Sequence, residues 1–171
     1  DILDNVIPFI SGEESKVEWE PRKMLGDLEP DGGAVRLADF AISAHTNRVP
    51  VSDGHLVCLS VELAAPASPE QAADALRAFQ APAVSADLPS APRPIISLSA
   101  GEDRPQPRLD RNAGGGMQTV VGRVRADPLF HIKLVVCSHN TIRGAAGGSI
   151  YNAELLCRQG FVNYQEATNE P

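Results

Sequence analysis

One segment of the sequence combines an arginine and a histidine that could act on the same small anionic molecule. It covers residues 47–55 and reads Asn-Arg-Val-Pro-Val-Ser-Asp-Gly-His. The planar guanidinium of Arg48 can bind a carboxylate or a phosphate through two parallel hydrogen bonds. The imidazole of His55 can accept or donate a proton near neutral pH. The segment therefore predicts a substrate-binding and acid–base site, and the alternative is a hairpin turn with an exposed arginine and a surface histidine.

A second segment has small residues directly before a predicted helix. It covers residues 140–149 and reads Asn-Thr-Ile-Arg-Gly-Ala-Ala-Gly-Gly-Ser. Glycines such as Gly144 and Gly147 let a ligand approach backbone N–H groups at the positive end of the helix dipole. With Asn140, they predict a site for an anion or for the polar edge of a cofactor. A tight strand-to-helix turn, in which the glycines only supply positive φ, is the alternative.

The other reactive side chains give weaker indications. Glu13 and Lys16 are three positions apart and would pair on one face of a helix, although an exposed ion pair contributes little. The remaining histidines share no metal-ligand spacing, so no metal site is predicted. The three cysteines form no CxxC pattern and favour a reducing compartment. The cysteines are interpreted as small packing residues of strands or helices, and Cys137, at the end of a predicted strand, is the most reactive-looking of them although no base is adjacent in the sequence.

The composition and charge of the chain argue against several classes of protein. With 171 residues, 43% of them hydrophobic, the chain can form one domain with an ordinary core. Its net charge of −7 argues against a nucleic-acid partner, because phosphate contacts need clustered lysines and arginines. We find no apolar run near the ~20 residues of a membrane span and no signal peptide, so we expect a cytoplasmic protein. Since the chain begins with Asp1, we expect a processed or excised piece.

Alternating hydrophobic and polar residues predict the strands that would position these side chains. Four such segments, at 39–45, 57–63, 119–125 and 130–136, indicate the strands of one sheet. Strict alternation is typical of an antiparallel or mixed sheet with one packed face. Residues 95–98, inside a proline-rich stretch, could add a short edge strand.

Three further segments predict helices. A capping box at residues 68–71, with proline at the first helical position, begins a helix that reaches about residue 80. A second helix should cover residues 148–158. A third is predicted over 14–25, where Pro21 would break or kink it. Together with the strands, these helices predict an α+β fold with a mixed, largely antiparallel sheet and helices packed on one face.

Four separated blocks of the sequence carry a family resemblance. They lie at 4–14, 47–55, 104–117 and 140–154. In one-letter code they contain DNVIPFISGEE, NRVPVSDGH, RPQPRLDR followed by GM, and NTIRGAAGGS followed by NAE. In this order they resemble the aspartate-semialdehyde dehydrogenase family, and most closely its fungal and archaeal branch. They span nearly the whole chain, and their common order makes a chance match improbable.

The resemblance implies the catalytic and dimer-forming domain of such an enzyme, as a single domain over residues 1–171. It is expected to fold like the C-terminal domain of glyceraldehyde-3-phosphate-dehydrogenase-type enzymes. The implied reaction is the NADP-dependent, reversible reductive dephosphorylation of L-aspartyl 4-phosphate to L-aspartate 4-semialdehyde, in the biosynthesis of lysine, threonine, methionine and isoleucine. The NADP-binding Rossmann domain and its nucleophilic cysteine are not in this chain, so the chain alone should be inactive.

The resemblance also implies a role for each candidate residue. His55 is the general acid/base. Three residues bind the substrate or its phosphate: Arg48, Glu13 and Lys16. Three residues lie near the nicotinamide end of NADP: Asn140, Gly144 and Gly147. A homodimer formed through the sheet is implied as well, and two alternatives stay open: a non-catalytic dimerisation or interaction module, and a related acyl-phosphate reductase.

Overall fold

The computed structural model describes residues 2–162. The chain divides into two compact units, Asp1–Pro50 and Val51–Pro171, and each is described here by itself. A single domain over residues 1–171 therefore remains a prediction. Within the described residues, no helix is both long and apolar enough to cross a membrane.

The first unit is built around one helix, α1, which covers Glu13–Met24. Acidic residues occupy its first turn and basic residues its last turn, so both ends are matched to the helix dipole. Pro21 lies inside the helix and does not end it, which leaves Glu13 and Lys16 on a continuous helix. A two-stranded antiparallel ribbon follows, formed by β1 (Asp27–Leu28) and β2 (Val35–Arg36).

The strand predicted over residues 39–45 does not exist, and that prediction is wrong. The segment pairs with no other strand, although residues 41–47 alternate between exposed and half-buried positions as an extended chain would. Its backbone N–H groups are bound by helix side chains instead: Ala44 donates to Glu18 at 2.9 Å, and Thr46 donates to Glu14 at 3.0 Å. The alternation of hydrophobic and polar residues correctly predicted an extended backbone, but such a pattern does not indicate which groups the backbone binds.

The second unit contains a four-stranded sheet in the order β3-β6-β5-β4. Its strands are β3 (His55–Val61), β4 (Ile96–Ser99), β5 (Thr119–Ala126) and β6 (Ile132–Ser138). β3 and β5 are antiparallel to β6, whereas β4 is parallel to β5. The predicted α+β fold with a mixed, largely antiparallel sheet is therefore confirmed. The short edge strand predicted at residues 95–98 is present as β4, so the sheet has four strands although the one predicted at 39–45 is absent.

Two strands are shifted by two residues from their predicted bounds, for local reasons. β3 ends at Val61 because the N–H of Leu63 donates to a ring nitrogen of His131, at 2.9 Å, instead of to a neighbouring strand. β6 starts late because the carboxylate of Asp127 accepts hydrogen bonds from the N–H groups of Leu129 and Phe130 and forms a turn there. These N–H groups also lower the pKa of Asp127.

Among the described residues of the second unit, three α-helices accompany the sheet, α2 (Pro69–Ala78), α3 (Pro107–Asp110) and α4 (Gly147–Arg158), together with a 3-10 helix over Ala113–Gly116. The capping box predicted for α2 is present, with Ser68 and Gln71 each bonding to the other's backbone N–H. α4 begins one residue earlier than predicted, because a π-helical turn over Ile142–Ala146 runs directly into it.

The core of the second unit lies on β5 and β6. Val120, Val121, Ile132 and Cys137 are all buried. The backbone of Arg104 lies close against β5, since a Cβ added at Gly122 would lie 2.3 Å from its carbonyl oxygen. β3 is different, because Leu56, Val57 and Leu59 stay exposed.

Candidate functional site

His55 is the first residue of the edge strand β3, and its side chain is exposed. The residue before it, Gly54, has φ 103°, which a side-chain-bearing residue rarely adopts. The N–H of Gly54 donates to Oδ1 of Asn140 at 2.7 Å. The backbone that carries the imidazole is therefore tied to the segment that follows β6.

Asp53 provides two further attachments for the same turn. Its carbonyl oxygen accepts a hydrogen bond from the guanidinium of Arg111 at 3.1 Å. Its carboxylate accepts one from the hydroxyl of Thr141 at 3.2 Å. A Cβ added at Gly54 would lie 3.1 Å from Cβ of Pro107, so the turn also packs closely against α3. An imidazole on a backbone held at three points is well suited to a fixed proton-transfer geometry.

The segment after β6 is a closed turn and not an open glycine loop. Gly144 donates its N–H to the carbonyl oxygen of His139 at 3.0 Å, and Ala146 donates to Thr141 at 3.1 Å. Gly147 has no positive φ, and its lack of a side chain is explained by packing, since an added Cβ would lie 2.5 Å from Sδ of Met117. The surface at Gly144 is open, because an added Cβ there would have only the oxygen of His139 within 4 Å, at 3.8 Å.

His139 and Asn140 anchor this turn in different ways. His139 is buried, and its Nδ1 accepts hydrogen bonds from the N–H groups of Thr141 and Ile142, each at 3.3 Å. The side chain of His139 therefore holds the start of this turn. The amide oxygen of Asn140 is occupied by Gly54, whereas its amide nitrogen has no partner among residues 2–162. That nitrogen can still donate a hydrogen bond to a ligand.

In the first unit, the predicted pair on α1 is present. Nζ of Lys16 lies 3.5 Å from Oε1 of Glu13. Arg48 exchanges two backbone hydrogen bonds with Ile7, at 2.9 and 3.1 Å. Its side chain is exposed and forms no hydrogen bond or ion pair within the described part of the chain. The guanidinium is therefore available to bind an anion.

Arg48 and His55 fall in different compact units. Their predicted action on one substrate therefore stays a prediction.

The cysteines behave differently from one another. Cys137, the most reactive-looking in the sequence, is 1% exposed, and burial raises the pKa of its thiol above the ordinary value. A buried thiol of raised pKa is a poor nucleophile, so the ranking of Cys137 as the most reactive of the three is wrong, and its interpretation as a packing residue is confirmed. Cys58 and Cys157 are exposed and free. Within residues 2–162, no group of three histidine, cysteine or carboxylate side chains is arranged to hold a metal ion.

Sequence reasoning missed three residues that hold the His55 turn: Asp53, Arg111 and Thr141. Asp53 lay inside the predicted segment without an assigned role, and it could have been singled out as an Asp-Gly turn signal. Nothing local to Arg111 or Thr141 indicates their contact with it, since they lie 58 and 88 residues away in the chain.

Comparisons with known proteins show the family to which the chain belongs. Residues 1–143 match the family model described as semialdehyde dehydrogenase, dimerisation domain. The aspartate-semialdehyde dehydrogenases of Schizosaccharomyces pombe and Archaeoglobus fulgidus are 46% and 47% identical to the chain, over 95% and 94% of its length. They are matched over 46% and 45% of their own lengths, so the chain spans about half of these relatives.

Solved structures give the same result. The aspartate-semialdehyde dehydrogenase of Candida albicans with NADP has a TM-score of 0.86 and 45% identity, covering 95% of this chain and 47% of that one. Aspartate-semialdehyde dehydrogenase II of Vibrio cholerae complexed with ASA has a TM-score of 0.68 and 33% identity, covering 91% and 41%. By sequence and by fold, this chain belongs to the aspartate-semialdehyde dehydrogenase family, in the part described as its dimerisation domain.

Proposed function

We propose that this chain is the catalytic and dimer-forming domain of an NADP-dependent aspartate-semialdehyde dehydrogenase. Such an enzyme interconverts L-aspartyl 4-phosphate and L-aspartate 4-semialdehyde, on the route to lysine, threonine, methionine and isoleucine. The observation that carries the proposal is the turn at residues 53–55, which presents an exposed histidine on a backbone held by hydrogen bonds with Asn140, Arg111 and Thr141. A histidine fixed in this way, in a chain of this family, is suited to acid–base chemistry.

His55 is proposed to move the proton that the reaction requires. In the oxidative direction a cysteine thiolate adds to the aldehyde, a hydride leaves, and phosphate then releases the acyl group from sulfur. NADP, when bound, takes up the hydride. The imidazole can accept the proton of the attacking thiol or of the adduct hydroxyl, and it can return the proton in the reverse direction.

Arg48, Glu13 and Lys16 are proposed to bind the charged groups of the substrates. The guanidinium of Arg48, which has no side-chain partner in the described part of the chain, suits the substrate α-carboxylate, which it can bind through two parallel hydrogen bonds. The carboxylate of Glu13 suits the substrate ammonium group. The ammonium group of Lys16 suits phosphate, and it lies 3.5 Å from the carboxylate of Glu13.

The segment after β6 fits the polar edge of a nicotinamide in two respects. The amide nitrogen of Asn140 is free to donate, and the surface at Gly144 has room for a ligand. Gly147 does not face this surface but packs closely against Met117, and so helps to hold the segment in place. Its proposed part in cofactor binding is therefore indirect.

The thiolate is proposed to come from outside residues 1–171. The blocks of this chain that match the family contain no nucleophile motif, and Cys137 is too buried to serve. We therefore expect this chain alone to form no NADPH from aspartate semialdehyde, NADP and phosphate. Measurable turnover by the chain alone would contradict this part of the proposal.

The proposed function is tested with the natural full-length protein that contains this chain. NADPH formation is measured with phosphate and one of three aldehydes: aspartate semialdehyde, glyceraldehyde 3-phosphate and N-acetylglutamate semialdehyde. We expect a kcat/KM for aspartate semialdehyde at least about a hundredfold above the other two, since a matched charged contact is worth about 1.5–3 kcal/mol and two are involved. Preference for another aldehyde would favour a related acyl-phosphate reductase, and no turnover with any would favour a non-catalytic module.

We further propose a cytoplasmic homodimer that forms through the sheet. The exposed apolar residues Val57 and Leu59 lie on one face of the edge strand β3, at 44% and 40% exposure, beside Val136 and Leu134. An apolar patch of this kind favours a protein partner. The free thiols are typical of a reducing compartment. A monomer mass at micromolar concentration would count against the dimer, and Val57→Asp should shift the equilibrium toward monomer.

A further inference from the structure

Two carboxylates of α1 hold the segment that leads to Arg48. Oε1 of Glu18 accepts the N–H of Ala44 at 2.9 Å, and Oε1 of Glu14 accepts the N–H of Thr46 at 3.0 Å. The next N–H on the same edge, that of Arg48, donates to the carbonyl oxygen of Ile7 at 2.9 Å. Three alternate N–H groups of one extended segment are thus all satisfied on one side.

The two glutamates on α1 and the N–H groups of the extended segment have matching spacings, which explains why this ladder of hydrogen bonds forms. Glu14 and Glu18 are four residues apart, which corresponds to a rise of about 6 Å along a helix. Ala44 and Thr46 are two residues apart, which corresponds to about 6.6 Å along an extended chain. The segment runs antiparallel to the helix, because the later carboxylate binds the earlier N–H. The two carboxylates therefore match two successive N–H groups on the same edge.

A ladder of this kind fixes register as well as position. A slip of one residue would turn every side chain of the segment to the opposite face. With both carboxylates engaged, Ala44 and Thr46 are half-buried, whereas Arg48 is exposed. The same helix carries Glu13 and Lys16, so the carboxylates connect all three proposed substrate-binding residues to one element.

We propose that Glu14 and Glu18 are positioning residues that set the register of Arg48 relative to Glu13 and Lys16, and thereby the affinity for the substrate carboxylate. The inference rests on the proposed function of Arg48. The two glutamates act through the backbone of residues 44–48 and do not touch the substrate.

A variant that lacks only the hydroxyl of Thr46 distinguishes the effect of its backbone N–H on substrate affinity from the effect of its side chain. Its Oγ1 is buried and has no hydrogen-bond partner among residues 2–162. Replacement of Thr46 by valine, which has nearly the same shape, removes the hydroxyl and keeps the N–H. If the backbone ladder is what matters, Thr46→Val leaves substrate affinity unchanged.

The experiment compares KM values in the natural full-length protein. We expect Glu14→Ala/Glu18→Ala to raise KM for aspartate semialdehyde about tenfold while kcat changes less than about threefold, because a ground-state contact is loosened and the chemistry is not. Glu14→Gln keeps an acceptor oxygen for the N–H of Thr46, so its KM should stay closer to the wild-type value than that of the alanine variant. Glu20→Ala, on the same helix and without a hydrogen bond in the described part of the chain, is the matched control.

Amide hydrogen exchange provides a readout that does not depend on activity. The N–H groups of Ala44 and Thr46 should exchange faster in the double alanine variant and at wild-type rates in Glu20→Ala. Should the double variant fail to fold, the single variants are measured in the same way. An unchanged KM in the folded variants, with a raised KM in Arg48→Leu, would overturn the inference and leave the proposed function standing. A wild-type protein inactive on aspartate semialdehyde would overturn the function itself, and with it any role of the ladder in binding that substrate.

Discussion

The hydrogen bond between Asn140 and Gly54 provides a sharp test of how His55 is held. Asn140→Ala removes the acceptor and leaves a part-buried N–H at Gly54 without its partner at 2.7 Å. A lost neutral hydrogen bond of this kind costs about 1 kcal/mol, and an unsatisfied buried donor brings the total to about 1–3 kcal/mol. The bonds from Arg111 and Thr141 to Asp53 remain, so the turn should loosen without unfolding.

We expect this loosening to lower kcat about tenfold or more, because small displacements of a reacting group reduce rates strongly. Asn140→Asp is the matched variant, since a carboxylate still accepts the N–H of Gly54 but can no longer donate to a cofactor. If Asn140 acts by holding the turn, the aspartate variant keeps most of the turnover. If it acts by donating to the nicotinamide, both variants raise KM for NADP.

Steady-state kinetics with varied NADP, together with thermal unfolding of each variant, separates these outcomes. A full retention of kcat, KM for NADP and thermal stability in Asn140→Ala would refute the reasoning. An equal loss of kcat in the alanine and aspartate variants, with unchanged KM for NADP, would refute it as well, because only the first of them removes the acceptor.

Two further predictions concern buried side chains of the second unit, those of Asp110 and Cys137. The pKa of Asp110 is lowered, mainly by hydrogen bonds from Arg104, so the stabilisation from this pair is complete above an unfolded pKa of about 3.9 and is lost as pH falls through the folded value. Asp110→Asn should therefore lower the free energy of unfolding by about 1.5–3 kcal/mol at neutral pH and by much less in strong acid, and a constant difference across that range would contradict it. Cys137 should resist alkylation in the folded protein while Cys157 reacts, and comparable rates would contradict its burial.

Much of the second unit could be predicted from local sequence, because its elements carry their own signals. The alternation that predicted β5 and β6 coincides with real strand pairing, and Ser68 and Gln71 form the capping box that their spacing indicates. The period of a segment and the residues at a helix start depend on near neighbours in sequence. They are therefore readable before any tertiary contact is known.

The contacts that build the site could not be predicted in the same way. Residues 39–45 alternate as a strand does, yet the N–H groups of Ala44 and of Thr46, just after the segment, bind glutamates of a helix that are 26 and 32 residues away in sequence. The acceptor for Gly54 lies 86 residues away. The side chains of Arg48 and His55 alone indicate anion binding and proton transfer. The groups that hold their backbone come from distant segments of the chain, so they could not be identified before the fold was known.

The most direct test of the account compares Arg48→Leu and His55→Asn in the natural full-length protein. If Arg48 binds the substrate carboxylate and His55 transfers the proton, the first variant should raise KM for aspartate semialdehyde about tenfold or more with a modest change in kcat. The second should lower kcat about a hundredfold or more with a modest change in KM. An unchanged KM in the arginine variant, or a wild-type kcat in the histidine variant, would contradict the central claim.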